Sequence, residues 1–355
     1  MHTPSAHAQQ VYANGTTVTA SGTITTSGPP ALLAINSGVI LSTTPLTITN
    51  TGGDGARATT SGQITIAAGS SIITTGATAI GVSVDGIGSL ITVGNGTQIT
   101  TSDAYSSGFY IYDGGQIDAV GVTIDTAGTQ AHGMVVYDGG LINAAGTTIT
   151  TSGANSHGIA VFLAGQISAE NISVTTTGTE SHGIYMTSMG STFVSISDSV
   201  ITAQGLDASA VRSVGNNTLA IANSTLSAEN GIGFDTVGGT LTANVINSTI
   251  TGGNGLLNVG AAATLGIDAT GSTLNGSATT AAGGVSIVAL TNSRWNVTGD
   301  SNISFLDNAA GSLVQFTPPG SGAGPFKTLT VNDYLGAGGT LAVNSISRRR
   351  WIAIR

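Results

Sequence analysis

Four glycines, Gly108, Gly133, Gly158 and Gly183, stand 25 residues apart, and each opens an apolar stretch: GFYIYDGG, GMVVYDGG, GIAVFLAG, GIYMTSMG. A fixed period between about 20 and 50 residues confines a chain to solenoids, propellers or stacked arrays. The period loosens after Gly183, resumes at Gly231, Gly255 and near Gly284, and runs back through Gly81 toward Val11. Each unit holds three short alternating segments: the post-glycine stretch, a second such as QIDAV, LINAA or QISAE, and a third such as VTIDT, TTITT or ISVTT. Period-two alternation of β-branched and apolar side chains between Gly, Asn and Ser marks strands buried on one face. Three strands in so short a unit do not make a propeller blade, which needs ~40 residues or more, but they make one coil of a parallel β-helix.

In such a coil an inward side chain packs on its counterpart one rung away, about 4.8 Å distant, so like stacks on like. The period aligns Ile117, Ile142, Ile167 and Val194 in one inward ladder. A second holds Ile124, Ile149, Val174, Ile201, Leu226, Ile250 and Leu274, and a third Ile111, Val136, Val161 and Met186. Corners fall to glycine, and to Asn or Ser, which accept positive φ or bond their own backbone. Triplets such as Asn171-Ile172-Ser173 and Asn223-Ser224-Thr225 therefore read as a corner Asn followed by the start of a strand. Roughly twelve rungs give a rod of about 60 Å.

Composition narrows the function classes. Only 7% of residues are charged and 40% are hydrophobic, which excludes a charged, expanded disordered chain. No apolar run reaches the ~18 residues of a membrane helix. With 17 acids against 8 bases, the net charge of −9 argues against nucleic acid as a partner. Three of those bases, Arg348, Arg349 and Arg350, sit together near the C-terminus. Cysteine is absent, so neither a disulfide framework nor a thiolate metal site is available.

Three sets of residues carry chemistry. His132, His157 and His182 occupy equivalent places on successive rungs. Zinc ligands must converge to ~2.0–2.1 Å, whereas a column of parallel imidazoles does not, so these read as a structural ladder, and no metal or other cofactor is expected. Tyr112, Tyr137 and Phe162 are likewise equivalent, with Tyr110 and Tyr185 on the same strand face by parity. If Ile111, Val136 and Val161 point inward, these rings point outward, beside Asp113 and Asp138. Such a stripe either shields the sheet or offers a ligand-binding surface to sugar rings or a protein partner. Asp113 and Asp138 on adjacent rungs approach the carboxylate spacing of retaining glycosidases, but Leu163 stands on the next rung. Arg57, Arg212 and Arg294 are isolated in the coil sequence, so a lyase lacks its basic cluster.

Near the C-terminus, PPGSGAGP (318–325) is a loop that introduces FKTLTVNDYLGAGGTLAVN (326–344). That segment resembles the start of the autochaperone cap in pertactin-like autotransporter passengers, type V secreted proteins of Gram-negative bacteria. The resemblance is specific over about twenty residues and otherwise one of style. It implies a right-handed all-β parallel β-helix, autotransport, and a non-catalytic adhesin or interaction role at the bacterial cell surface or outside the cell. It also implies a host-cell protein or glycan receptor, and an outer-membrane β-barrel translocator that this chain does not contain. A thiol-free chain suits export unfolded through a narrow pore. The expected organisation is a signal-peptide remnant at 1–8 ending in Ala6-His7-Ala8, a β-helix at 9–317, the loop, the cap start, and a tail at 345–355 that departs from the pattern, is poorly packed and promotes aggregation. A monomer is expected. The rival readings are a β-helix polysaccharide lyase or glycoside hydrolase, discriminated by acids and bases converging from neighbouring rungs, and a passive stalk.

Overall fold

The structure, a computed structural model, describes residues 9–319 and 326–344. The expected signal remnant at 1–8, most of the 318–325 loop and the 345–355 tail lie outside the described residues. Among the described residues every regular element is a strand. A representative coil runs Phe109–Ile111, Gln116–Val120 and Thr123–Thr126. Each of these strands pairs in parallel with its counterpart in the next coil, Met134–Val136, Leu141–Ala145 and Thr148–Thr151. The chain is a parallel β-solenoid with three strands per coil, as the repeat predicts.

The three predicted ladders are all present. Ile117 pairs with Ile142, Ile142 with Ile167 and Ile167 with Val194. Ile111, Val136, Val161 and Met186 pair in turn. The longest ladder begins at Ile24, Ile48, Ile72 and Ile99 and continues through Ile124 to Leu274. It then passes through Trp295 and Val314 to Leu341. Nearly all of these side chains are fully buried in one continuous core. Each such aliphatic residue contributes about 1.5–3 kcal/mol relative to exposure, and repetition, not size, makes the core. Trp295 fits the ladder because its indole N–H donates to the Gly276 carbonyl at 3.0 Å.

The 25-residue glycines have a different origin from the corner role expected of glycine. None of Gly108, Gly133, Gly158 and Gly183 has positive φ. They are required by close approach: a Cβ at Gly158 would sit 2.2 Å from Val174 Cγ1 and 2.9 Å from the Gly183 carbonyl oxygen. This column abuts the longest aliphatic ladder. The left-handed corners are elsewhere, at residues such as Asn223 (φ 49°), Asn247 (φ 48°) and Asn292 (φ 49°). The serine after each lends its hydroxyl to the neighbouring rung. Ser224 N–H donates to Ser248 Oγ, Ser248 N–H to Ser272 Oγ, and Ser272 N–H to Ser293 Oγ, each at 3.0 Å. The corner reading of the Asn-Ser-Thr triplets therefore holds.

Residues 329–335 and 340–342, assigned by sequence to the start of a cap, continue the parallel pairing. Leu329–Leu335 lies along Ser301–Asn308, and Thr340–Ala342 along Leu313–Phe316. Tyr334, Leu335, Leu341 and Val343 are exposed there.

Candidate binding groove

The face led by the glycine column differs from the other two because four columns of side chains on it line a groove parallel to the solenoid axis. Three residues before each marking glycine, or before its counterpart Ala210, comes a left-handed corner residue: Thr78, Tyr105, Gln130, Asn155, Glu180 and Asp207, with φ between 52° and 61°. These form one wall. The residues just before the glycines, among them Ser107, His132, His157, His182 and Ser209, form the floor. Two residues into the strand, register places Arg57, Ser83, Tyr110, Val135, Ala160, Tyr185, Arg212 and Asp235 in one column. Two residues further on, Tyr112, Tyr137 and Phe162 form the opposite wall, continued by Thr187.

The aromatic stripe points outward, as parity predicts, but the rings do not stand free. Tyr112 and Tyr137 are 39% and 45% exposed, whereas Tyr110, Phe162 and Tyr185 are half-buried. Val135 and Ala160 also face outward, yet both are fully buried beneath these rings and the imidazoles. Tyr110 and Tyr112 lie with ring centroids 4.3 Å apart, Tyr137 and Phe162 at 5.7 Å, and Phe162 meets Tyr185 edge-on at 5.8 Å. Burial, then the neighbouring phenols of Tyr112 and Tyr137, pushes the Tyr110 hydroxyl up to about 12, so it keeps its proton as a donor. Burial and then the Asp54 carboxylate raise Tyr112 as well. Asp113 and Asp138 are exposed on the turn beyond the stripe and line neither part of the groove.

The histidine ladder has a physical reason that sequence alone did not give. Successive rings stack with centroids 4.9 and 5.0 Å apart. Nδ1 of each accepts the backbone N–H of the residue one rung on: His157 N–H to His132 at 3.0 Å, His182 N–H to His157 at 3.1 Å, and Ser209 N–H to His182 at 2.9 Å. Ser107 Oγ does the same for His132 N–H, and Asp54 Oδ1 for Ile80 N–H. The column therefore selects for side-chain acceptors, and an acceptor Nδ1 fixes the neutral tautomer with its proton on Nε2. Burial lowers His132 to about 4 and, together with the Arg212 charge, His182 to about 3; His157 is held well below its ordinary value by burial first, then by the flanking His132 and His182 and by Arg212. Among the described residues no three His, Asp or Glu side chains are grouped to hold a metal ion.

The groove has two ends of different character. Its aromatic part, about 290 Å³, is lined by Tyr105, Tyr110, Tyr112, His132, Tyr137 and Phe162 among others. The adjoining part, about 250 Å³, is polar and is lined by Asn155, His157, Glu180, His182, Tyr185, Asp207 and Arg212. Sequence reasoning missed this cluster and treated Arg57 and Arg212 as isolated. Register instead puts them in one column, each neutralised: Arg57 by Asp85 at 2.9 Å, and Arg212 by Asp235, which also accepts from Asn258. Arg57 additionally lies 5.7 Å over the Tyr112 ring. A signal was available, since the corner residues keep the 25-residue period from Tyr105 to Glu180 while changing type at each step. Constant frame with variable side chain is what a surface position shows.

Chemically the cluster donates and stacks; it is poorly built for proton transfer. A base needs a free lone pair near neutral pH, and each imidazole has committed its lone pair to a backbone N–H. Arg212 is permanently charged and paired, and Glu180 and Asp207 are exposed corner carboxylates.

No protein-family model matches the chain, and no curated protein matches it in sequence. Among solved structures, a chain of the cryo-EM structure of the Vag8–C1 inhibitor complex is similar with a TM-score of 0.68 at 17% identity, covering 94% of this chain and 90% of that one. At this identity the likeness concerns architecture, and it establishes the chain as a parallel β-solenoid built like that one over nearly its whole length.

Proposed function

We propose that the chain is the passenger of a pertactin-like autotransporter, displayed on or released from a Gram-negative cell, and that it acts by binding a partner and not by catalysis. The observation that carries this reading is the extended solenoid, similar over 94% of its length to a chain from a complex of Vag8 with C1 inhibitor. The segment FKTLTVNDYLGAGGTLAVN and the absence of cysteine support the same export route. Binding is favoured over catalysis by the groove: its histidines are locked as neutral donors, and its arginines are already paired. Tyr110, Tyr112, Tyr137, Phe162 and Tyr185 belong to this groove, and it is the surface to which an adhesin role attaches. Asp113 and Asp138 flank it from the outer turn.

Two measurements test the reading. On intact producing cells, added protease and antibody should reach the chain, and the purified protein should attach to host cells or a host protein. Retention inside the cell would refute surface display. Release of reducing ends or unsaturated sugars from polysaccharides by the purified protein would refute the non-catalytic assignment.

A further inference from the structure

From the groove's chemistry we infer its ligand class: an uncharged or amine-bearing glycan chain laid along the solenoid axis, about one sugar ring per rung. The inference deepens the binding role proposed above and rests on it.

Four observations converge. First, the two parts of the groove are continuous, because His132 stacks on His157 and Phe162 touches Tyr185 across their junction. A long ligand fits it better than a compact one. Second, the floor presents a donor at each of three rungs, since Nδ1 of each histidine is taken and Nε2 carries the proton; the ring spacing of 4.9–5.0 Å sets the interval. A periodic row of N–H donors beside phenol hydroxyls and ring faces matches a polymer with an oxygen-rich edge and an apolar ring face, which describes a pyranose chain. Third, charge excludes polyanions. Arg57 and Arg212 are neutralised by Asp85 and Asp235, while Glu180 and Asp207 rim the polar end without an ion-pair partner among the described residues. A sulfated glycan or nucleic acid finds no free cation there, whereas an amino sugar finds two carboxylates. Fourth, an extended peptide is disfavoured. Peptides add to sheets at an edge, where backbone groups are free, and here the groove lies on a sheet face whose backbone bonds are spent on neighbouring rungs.

The test uses the full chain on a glycan panel and in calorimetry with three probe series: N-acetylglucosamine oligomers, glucosamine oligomers, each from one to six units, and heparin fragments. Affinity should rise with length to about five units and then level off, as the groove fills. Heparin should not bind. Tyr112→Ser/Tyr137→Ser/Phe162→Ser should weaken binding at least about tenfold, with the β-type circular dichroism retained. Because Phe162 covers buried residues, a second variant, Glu180→Gln/Asp207→Asn at exposed corners, is the safeguard. It should weaken the glucosamine oligomers several-fold more than the N-acetylated series, since only the amine meets the two carboxylates. Absence of binding to every neutral and amino glycan on the panel, preference for heparin, or full binding by the triple variant each overturns the inference. Host-cell attachment that survives enzymatic deglycosylation of the host surface and the triple variant would place the partner site elsewhere and show it to be protein, leaving the interaction role intact while refuting the groove's ligand.

Discussion

The stacked histidines make the fold acid-sensitive in a window set by their own chemistry. Burial depresses all three, to about 4 for His132 and about 3 for His182, with His157 likewise well below 6.5. A depressed histidine means that the unfolded chain takes up the proton first, so stability is fully present above the ordinary value and is lost as pH falls from about 6.5 toward the folded values. At pH ~5 folded His132 and His182 remain largely neutral while an unfolded imidazole is about 97% protonated, which costs ~2 kcal/mol for each. For His132 and His182 together the loss is ~4 kcal/mol between pH ~7.5 and ~5, and His157 adds to it in the same direction. Asp54, raised by burial, changes in the opposite sense. A His132→Asn/His157→Asn/His182→Asn variant keeps Asp54 and keeps a side-chain oxygen near each Nδ1 position, so comparison with it isolates the imidazoles. Urea titrations followed by the fluorescence of buried Trp295 should show the wild-type midpoint falling over this pH range and the variant's changing far less. An unchanged wild-type midpoint, or an equal fall in the variant, would refute the neutral, buried assignment.

Three further outcomes are expected. Ile142→Asp places an unpaired charge between Ile117 and Ile167, at a fully buried position, and should cost several kcal/mol in chemical denaturation; native-like stability would refute the register. Gly158→Ala brings a Cβ to 2.2 Å from Val174 Cγ1 and should lower stability by about 1–3 kcal/mol, whereas Gly266→Ala, with nothing within 4 Å of its Cβ, should melt at or slightly above wild type. Ser248→Ala strands the Ser224 N–H and should cost about 1–2 kcal/mol, while Asn247→Gly, at φ 48°, should differ by only a few tenths of a kcal/mol.

How much of this was legible follows from which interactions repeat. The inward ladders were readable residue by residue because the stacking partner of Ile142 is another branched aliphatic one period away, so core and register are written into the spacing itself. The outward direction of Tyr112, Tyr137 and Phe162 followed from alternation in the same way. Three things did not follow. The marking glycines read as corners, but they serve a contact with Ile124, Ile149, Val174 and Ile201, which lie on another strand of the coil. The histidines read as a ladder without a cause, because the N–H that each accepts belongs to a rung 25 or 27 residues on. The groove itself was invisible, since Glu180, Asp207 and Arg212 share no motif and meet only when coils of unequal length are set in register. Periodicity is a property of the chain and fixes what stacks on what along the axis. The cross-section of a coil depends on how its three strands close around the core, and only the folded structure decides which side chains meet across it.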